Sequence, residues 1–153
     1  MAASEWLEGL LNLMGFSLAR VEELEEDKLG NRWLVILSSH LSKSEIDCLT
    51  GENGSGLDAL QYMTNLVFGG GYTFIVELNG FRERQLAQLQ DRAMEALAAV
   101  RQTHSFYSIS HLSPGERRYI HLLLEEYEEV ETFSEGEEPN RQLVVRWLGE
   151  KGA

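Results

Sequence analysis

The sequence has a single cysteine, Cys48, so no disulfide can close within the chain, which fits a reducing compartment. It has no apolar run near the roughly 20 residues that a membrane-spanning helix needs, so integral membrane insertion is not expected. Glu5 and Glu8 stand where a signal peptide would carry basic residues, so no such peptide is expected and a cytoplasmic location is. Four histidines and the one cysteine are scattered without ligand spacing, which predicts no structural zinc and no other metal site. There is no P-loop lysine motif, HExxH, nucleophile elbow or repeated carboxylate pair of catalytic character, so neither an enzyme nor a cofactor is expected. Internal repeats and low-complexity segments are also missing.

Positive charge is scarce. Lys and Arg number 13 against 25 Asp and Glu, a net of −12, which opposes non-specific binding to polyanions. The imbalance is uneven. Residues 1–80 carry 4 basic and 12 acidic side chains, a net of −8, and residues 81–153 carry 9 and 13, a net of −4. Within 81–118 the basic residues lead: Arg82, Arg84, Arg92, Arg101, Arg117 and Arg118 against Glu83, Asp91, Glu95 and Glu116. At 43% hydrophobic and 25% charged, the chain has the composition of a folded protein, and 153 residues suit one ordinary domain or two very small ones.

The apolar spacing predicts the elements. Ala2–Met14 reads as an amphipathic helix with Trp6, Leu10 and Leu13 on one face and Ser4 as its cap, stopped by Gly15. Phe16, Leu18 and Val21 alternate like a half-buried strand, and Trp33–Leu37 is apolar enough for a central one. Ser42 or Ser44 caps a short helix carrying Ile46 and Leu49. After Gly51-Glu52-Asn53-Gly54 a longer helix places Leu57, Leu60, Met63 and Val67 along one face, ending at Gly69-Gly70-Gly71. Tyr72–Leu78 is the third strand. Residues 1–80 thus read α-β-β-α-α-β. A helix over Phe81–Thr103, with Leu86, Leu89, Ala93, Leu97 and Val100 as its stripe, is expected to connect (residues 81–104) to a second small domain over 105–149. There Phe106–Leu112 reads as a strand, and Ser113-Pro114-Gly115-Glu116 opens a helix with a capping box. Val130–Phe133 and Gln142–Leu148 follow as strands around the acidic turn Ser134–Asn140, giving β-α-β-β before a frayed tail at 150–153. The fold class expected is α+β, as two small α/β-sandwich domains, each with its own sheet.

Two constellations point to chemistry. Gly51 and Gly54, three apart between two helices, permit a tight turn whose amides face a phosphate, with a helix N-terminus behind it. This is how the GxxG loop of a KH module clamps the backbone of about four nucleotides. Taken alone, the same pattern suits an ordinary helix–helix turn, and Glu52 with Asn53 puts an acid where a basic pair would help. The second constellation is Arg117-x-x-x-His121, one helical turn apart, beside Arg118. Arg117 is expected to fork onto a phosphate, and His121 to donate to one or stack on a base. The same pair also suits an arginine matched to a nearby glutamate and a satisfied histidine. Asn140 and Arg141 close the acidic turn, where Arg141 serves either nucleic acid or neutralisation of Glu137 or Glu138. The acidic run Glu125–Glu138 reads as a solvated face, and Cys48 as a small packed side chain.

The segment Leu57–Leu66 following Gly51 and Gly54 resembles the KH domain of the bacterial Jag (SpoIIIJ-associated) family. Glu116–His121 and Glu131–Arg141, with its Ser-Glu-Gly-Glu-Glu-Pro-Asn-Arg string, are similar to the family's C-terminal R-three-H domain. The resemblance covers about residues 1–148 in the family's order. It implies a type II KH domain over 1–80 and a cytoplasmic protein binding single-stranded nucleic acid, RNA more than DNA. It also implies links to cell elongation and division, beside a small single-KH partner and a YidC-type insertase. By position, Gly51 and Gly54 match the family's loop, Arg117 and His121 the pair that names its second domain, and Arg141 the basic end of the acidic turn. Glu52-Asn53 departs from the basic loop centre. The family's extra N-terminal domain and basic linker have no counterpart here, so a shortened form without insertase association is expected.

The function expected is therefore an RNA-binding, post-transcriptional regulator with two weak sites linked in one chain. Bases would enter the groove between the GxxG-flanking helices and Trp33–Leu37, and Arg117, Arg118, His121 and Arg141 would hold phosphate. The alternative is a protein-interaction adaptor whose first domain serves homodimerisation or docking of a small KH partner.

Overall fold

The computed structural model describes residues 1–150. The chain forms two compact units, Met1–Arg84 and Gln85 onward.

The first unit runs α1 (Ala3–Leu13), β1 (Val21–Glu23), β2 (Asn31–Ile36), a 3₁₀ turn at Ser38–His40, α2 (Lys43–Thr50), α3 (Ser55–Phe68) and β3 (Thr73–Leu78). This is the expected α-β-β-α-α-β order. β2 lies centrally, antiparallel to β1 and parallel to β3, with Asn31 opposite Thr73 and Ile36 opposite Leu78. A parallel pair needs a long crossover, which α2 and α3 supply. Leu34, Ile36, Phe74, Val76 and Leu78 face Leu7, Leu11, Leu49, Leu57 and Leu60 in the core. Ser42 caps α2 through a full capping box with Glu45, holding two otherwise unpaired amides.

Asp27 organises the approach to β2. Its carboxylate accepts from the amides of Leu29 and Asn31 at 2.9 Å each, from the Asn31 side chain at 3.2 Å and from the Trp33 indole at 2.8 Å. Burial alone would raise the pKa of this carboxyl, but the Trp33 indole and the other donors outweigh it and hold it below its usual value.

Several faces differ from the sequence reading. α1 begins at Ala3 with Ala2 as an N-cap that makes no side-chain bond, so Ser4 is not the cap. It buries Ala3, Leu7 and Leu11, and leaves Leu13 89% exposed. β1 starts only at Val21, so Phe16 and Leu18 precede the strand. α3 buries Leu57, Leu60 and Thr64, while Met63 and Val67 face outward. Thr64 is what misleads: its hydroxyl bonds back to the Leu60 carbonyl at 2.8 Å, which lets a polar residue sit on the core face. Cys48, expected to be packed, is exposed.

The second unit takes most of α4 (Phe81–Thr103), then β4 (Phe106–Ile109), α5 (Pro114–Leu124), β5 (Val130–Glu135) and β6 (Gln142–Trp147). Its antiparallel sheet has the order β4-β6-β5, so the last strand is the central one and β4-α5-β5-β6 matches the expected β-α-β-β. Leu89, Ala93, Ala96, Leu97 and Val100 of α4 join Ile120 and Leu124 of α5 over Ile109, Leu143 and Val145. Where the sequence reading made 81–104 a connecting helix, its apolar stripe is part of this core. The expected tail lies outside the described residues from 151 on.

Candidate nucleic-acid interface

In the first unit the Gly51–Gly54 loop is a compact backbone turn. Gly51 has φ 71°, Asn53 φ 53° and Gly54 φ 82°, and Glu52–Gly54 makes one 3₁₀ turn that leads straight into α3. Glu52 and Asn53 project to solvent while Gly54 is buried. A Cβ at Gly54 would stand 2.4 Å from the Phe81 ring, and one at Gly51 2.6 Å from the Gly56 amide. Gly56, not singled out in the sequence, is as tight: a Cβ there would meet the Leu49 carbonyl at 2.1 Å. Its spacing from Gly51 and Gly54 was the available signal. The three glycines let the end of α2 and the start of α3 close against each other. The exposed tip then carries an acid and an amide ahead of a helix N-terminus.

In the second unit, Ser113 caps α5 with Glu116 completing the capping box and Pro114 at the start, as expected. The spacing of Arg117, Ile120 and Leu124 is that of a single helix face, and all three are buried. Arg117 therefore points inward, with its side chain 6% exposed. Its guanidinium donates to the Leu112 carbonyl at 2.8 Å, to the Arg141 carbonyl at 3.5 Å, and to the Glu138 carboxylate as an ion pair. This corrects the expectation that Arg117 offers a free fork to phosphate. The alternative reading, an arginine matched to a nearby glutamate, describes its placement.

His121, one turn later, is 42% exposed. Its Nδ1 is hydrogen-bonded to the Thr132 hydroxyl on β5, and its Nε2 lies 3.1 Å from Glu125. Arg117 and His121 thus both tie α5 to the β5–β6 hairpin. Arg141, at the end of the acidic turn, donates to the Gly136 carbonyl at 2.7 Å and is partly exposed. Arg118 is exposed on α5 between the two anchors. Arg118 and His121 thus share α5 with Arg117, whose guanidinium reaches the Arg141 carbonyl, and the Gly51–Gly54 loop belongs to the other unit.

The remaining basic residues of 81–118 are engaged locally. Arg82 pairs with Asp58 at 2.8 Å, Arg84 donates to the Asn79 carbonyl, Arg92 to the Ser110 carbonyl, and Arg101 pairs with Glu129. The Arg101 bond holds the Glu129 carboxyl below its usual pKa. Among the described residues no group of three or more His, Cys, Asp or Glu side chains is placed to hold a metal. No helix among them is long and apolar enough to cross a membrane.

Residues 85–146 match the family model of the R-three-H domain, coinciding with the second unit. Over 148 residues the chain is 30% identical to a protein of Clostridium symbiosum named RNA-binding protein KhpB, covering 94% of this chain and 64% of that one. Proteins of the same name from Lactiplantibacillus plantarum and Streptococcus pneumoniae are each 28% identical, over 142 and 113 residues, covering 87% and 71% of this chain but 43% and 34% of theirs. The chain thus spans less than two thirds of the length of these relatives. Residues 85–146 thus match the R-three-H domain, and most of the chain is similar to these relatives.

Proposed function

We propose that the chain is a non-catalytic, cytoplasmic protein that binds single-stranded RNA and acts as a post-transcriptional regulator. The observation that carries this is the double anchoring of α5. Arg117 and His121 fasten it to the β5–β6 hairpin; Arg118 is exposed on the helix, His121 and Arg141 are partly exposed, and we take the three together as one binding rim. Arg118 and Arg141 there hold a strand's phosphates and sugars, and the His121 ring, whose nitrogens face Thr132 and Glu125, offers its face to a base. Arg117 positions the rim and does not contact the ligand. The relatives' name, RNA-binding protein, agrees with this assignment.

The first unit is proposed as a type II KH domain, with the Gly51–Gly54 loop contributing a second, weaker backbone contact. Glu52 reduces that contact, which suits a molecule of net charge −12 that must avoid indiscriminate binding to polyanions. The outward face of α3 carries Tyr62, Met63, Leu66 and Val67, between 37% and 68% exposed, and is where a second KH domain, from a small partner or another copy, would dock.

Anisotropy titration of a labelled single-stranded RNA tests the assignment. Arg118→Ala combined with Arg141→Ala should weaken binding at least about tenfold while leaving the folded state intact. Unchanged affinity in that double variant would remove the rim from the account.

A further inference from the structure

The second sheet has a face that neither helix of its unit covers. In the β4-β6-β5 register, Tyr107, Ile109, Leu143, Val145, Val130 and Thr132 point toward α4 and α5. The alternate residues point the other way. One row across that face reads Phe106, Arg146, Glu131, and the next reads Ser108, Val144, Phe133. Phe106 is 64% exposed and Phe133 39% exposed, while Val144 between them is buried. The Arg146 guanidinium sits 5.7 Å from the centre of the Phe133 ring and is ion-paired with Glu131, which fixes it beside the ring.

Two open phenyl rings flanking an arginine on a strand surface are an expensive arrangement in water. Neither ring has a polar group to solvate, and exposed aromatic surface on a sheet with free edges invites association. The rings lie on the two outer strands of the three, about 10 Å apart across the sheet, so each receives its own base rather than sharing one. The neighbouring charges choose the occupant. Glu131 and Glu135 would repel a phosphate, whereas the face of a nucleobase carries no charge and stacks on phenyl and guanidinium planes alike.

We propose that Phe106, Arg146 and Phe133 form a base-stacking platform that takes unpaired nucleobases, with the sugar-phosphate chain held away from the acids. The inference rests on the RNA-binding reading above and adds a second surface to it. The arginines of the rim at α5 grip the backbone without regard to base, and the platform adds contacts that require bases to be present and unpaired. Duplex RNA, with its bases stacked on each other, gains nothing from it.

The test uses the full chain and two fluorescein-labelled probes of equal length, a mixed-sequence single-stranded RNA and a sugar-phosphate strand without bases. Phe106→Ala and Phe133→Ala should each weaken binding of the RNA about tenfold and leave the abasic strand unaffected. Phe133→Tyr, which keeps the ring, should bind like the parent protein, and thermal melts should show that all three variants fold. If the parent protein binds RNA and the alanine variants bind it equally well, the platform is wrong and the rim assignment stands. Should the alanine variants instead lose self-association and keep RNA affinity, the face is a protein contact and the platform is likewise wrong. A parent protein that binds neither probe overturns the RNA reading and the platform with it.

Discussion

Arg117, on the buried side of α5, is ion-paired with Glu138 in the acidic turn twenty-one residues later. The pair joins the two motifs that look independent in the sequence, the R-x-x-x-H helix and the Ser-Glu-Gly-Glu-Glu-Pro-Asn-Arg string. It makes the turn part of the helix's environment, so the placement of Arg141 depends on Arg117.

Removing the arginine should therefore damage folding before it damages binding. Arg117→Ala leaves the Leu112 carbonyl and a carboxylate without their donor and should lower stability by about 3 kcal/mol in urea denaturation. Glu138→Gln keeps an acceptor but leaves the guanidinium, 6% exposed, without its countercharge, and should cost about 1–3 kcal/mol. Arg118→Ala should leave stability within about 0.5 kcal/mol and weaken RNA binding. Equal stability of Arg117→Ala and the parent protein would show that the arginine does not hold the turn.

Gly54 should tolerate no side chain. Its φ of 82° and the Phe81 ring 2.4 Å from an added Cβ together predict a loss of about 2–3 kcal/mol for Gly54→Ala. Gly70→Ala is the control, because a Cβ there meets nothing within 4 Å and should change stability by less than about 0.5 kcal/mol. Comparable melting temperatures for the two variants would contradict the packing described for the loop.

Glu52 faces solvent at the loop tip, and its charge opposes phosphate. Glu52→Lys should raise affinity for single-stranded RNA several-fold at low salt. It should also steepen the dependence of log affinity on log salt by about 0.7, the value for one added phosphate contact on a single strand. An unchanged salt slope would mean that the strand does not pass this loop.

Asp27 gives the fold an acid-sensitive point. Its folded pKa lies below the unfolded value of about 3.9, so its contribution is complete above that pH and is lost as pH falls through the folded value. Asp27→Ala should cost about 2 kcal/mol at pH 7, through the hydrogen bonds from Leu29, Asn31 and Trp33. The gap between variant and parent should stay constant from pH 7 to 5 and narrow below about pH 4. A gap that widens in acid would reverse the sign assigned here.

Periodicity and capping made most of the architecture legible. The capping box at Ser113 and Glu116, the apolar run at Trp33 and the alternation Leu143, Val145, Trp147 each report a local physical requirement, and each element lies where the pattern puts it. What failed were choices of face settled by tertiary contacts. Thr64 replaces Met63 in the core because its hydroxyl finds a carbonyl within its own helix. Arg117 is buried because a partner from a distant turn neutralises it, and a four-residue spacing says nothing of that partner. The buried faces of both helices were present in the i, i+3, i+4 pattern, but polarity argued against reading them.

Single-stranded RNA is proposed to meet this protein at the rim around α5. Amide chemical-shift mapping during titration with a short single-stranded RNA measures that directly. The account predicts saturable shifts at Arg118, His121 and Arg141, with smaller ones at Gly51–Gly54. A titration that leaves α5 and the β5–β6 turn unmoved while shifts appear elsewhere would contradict it.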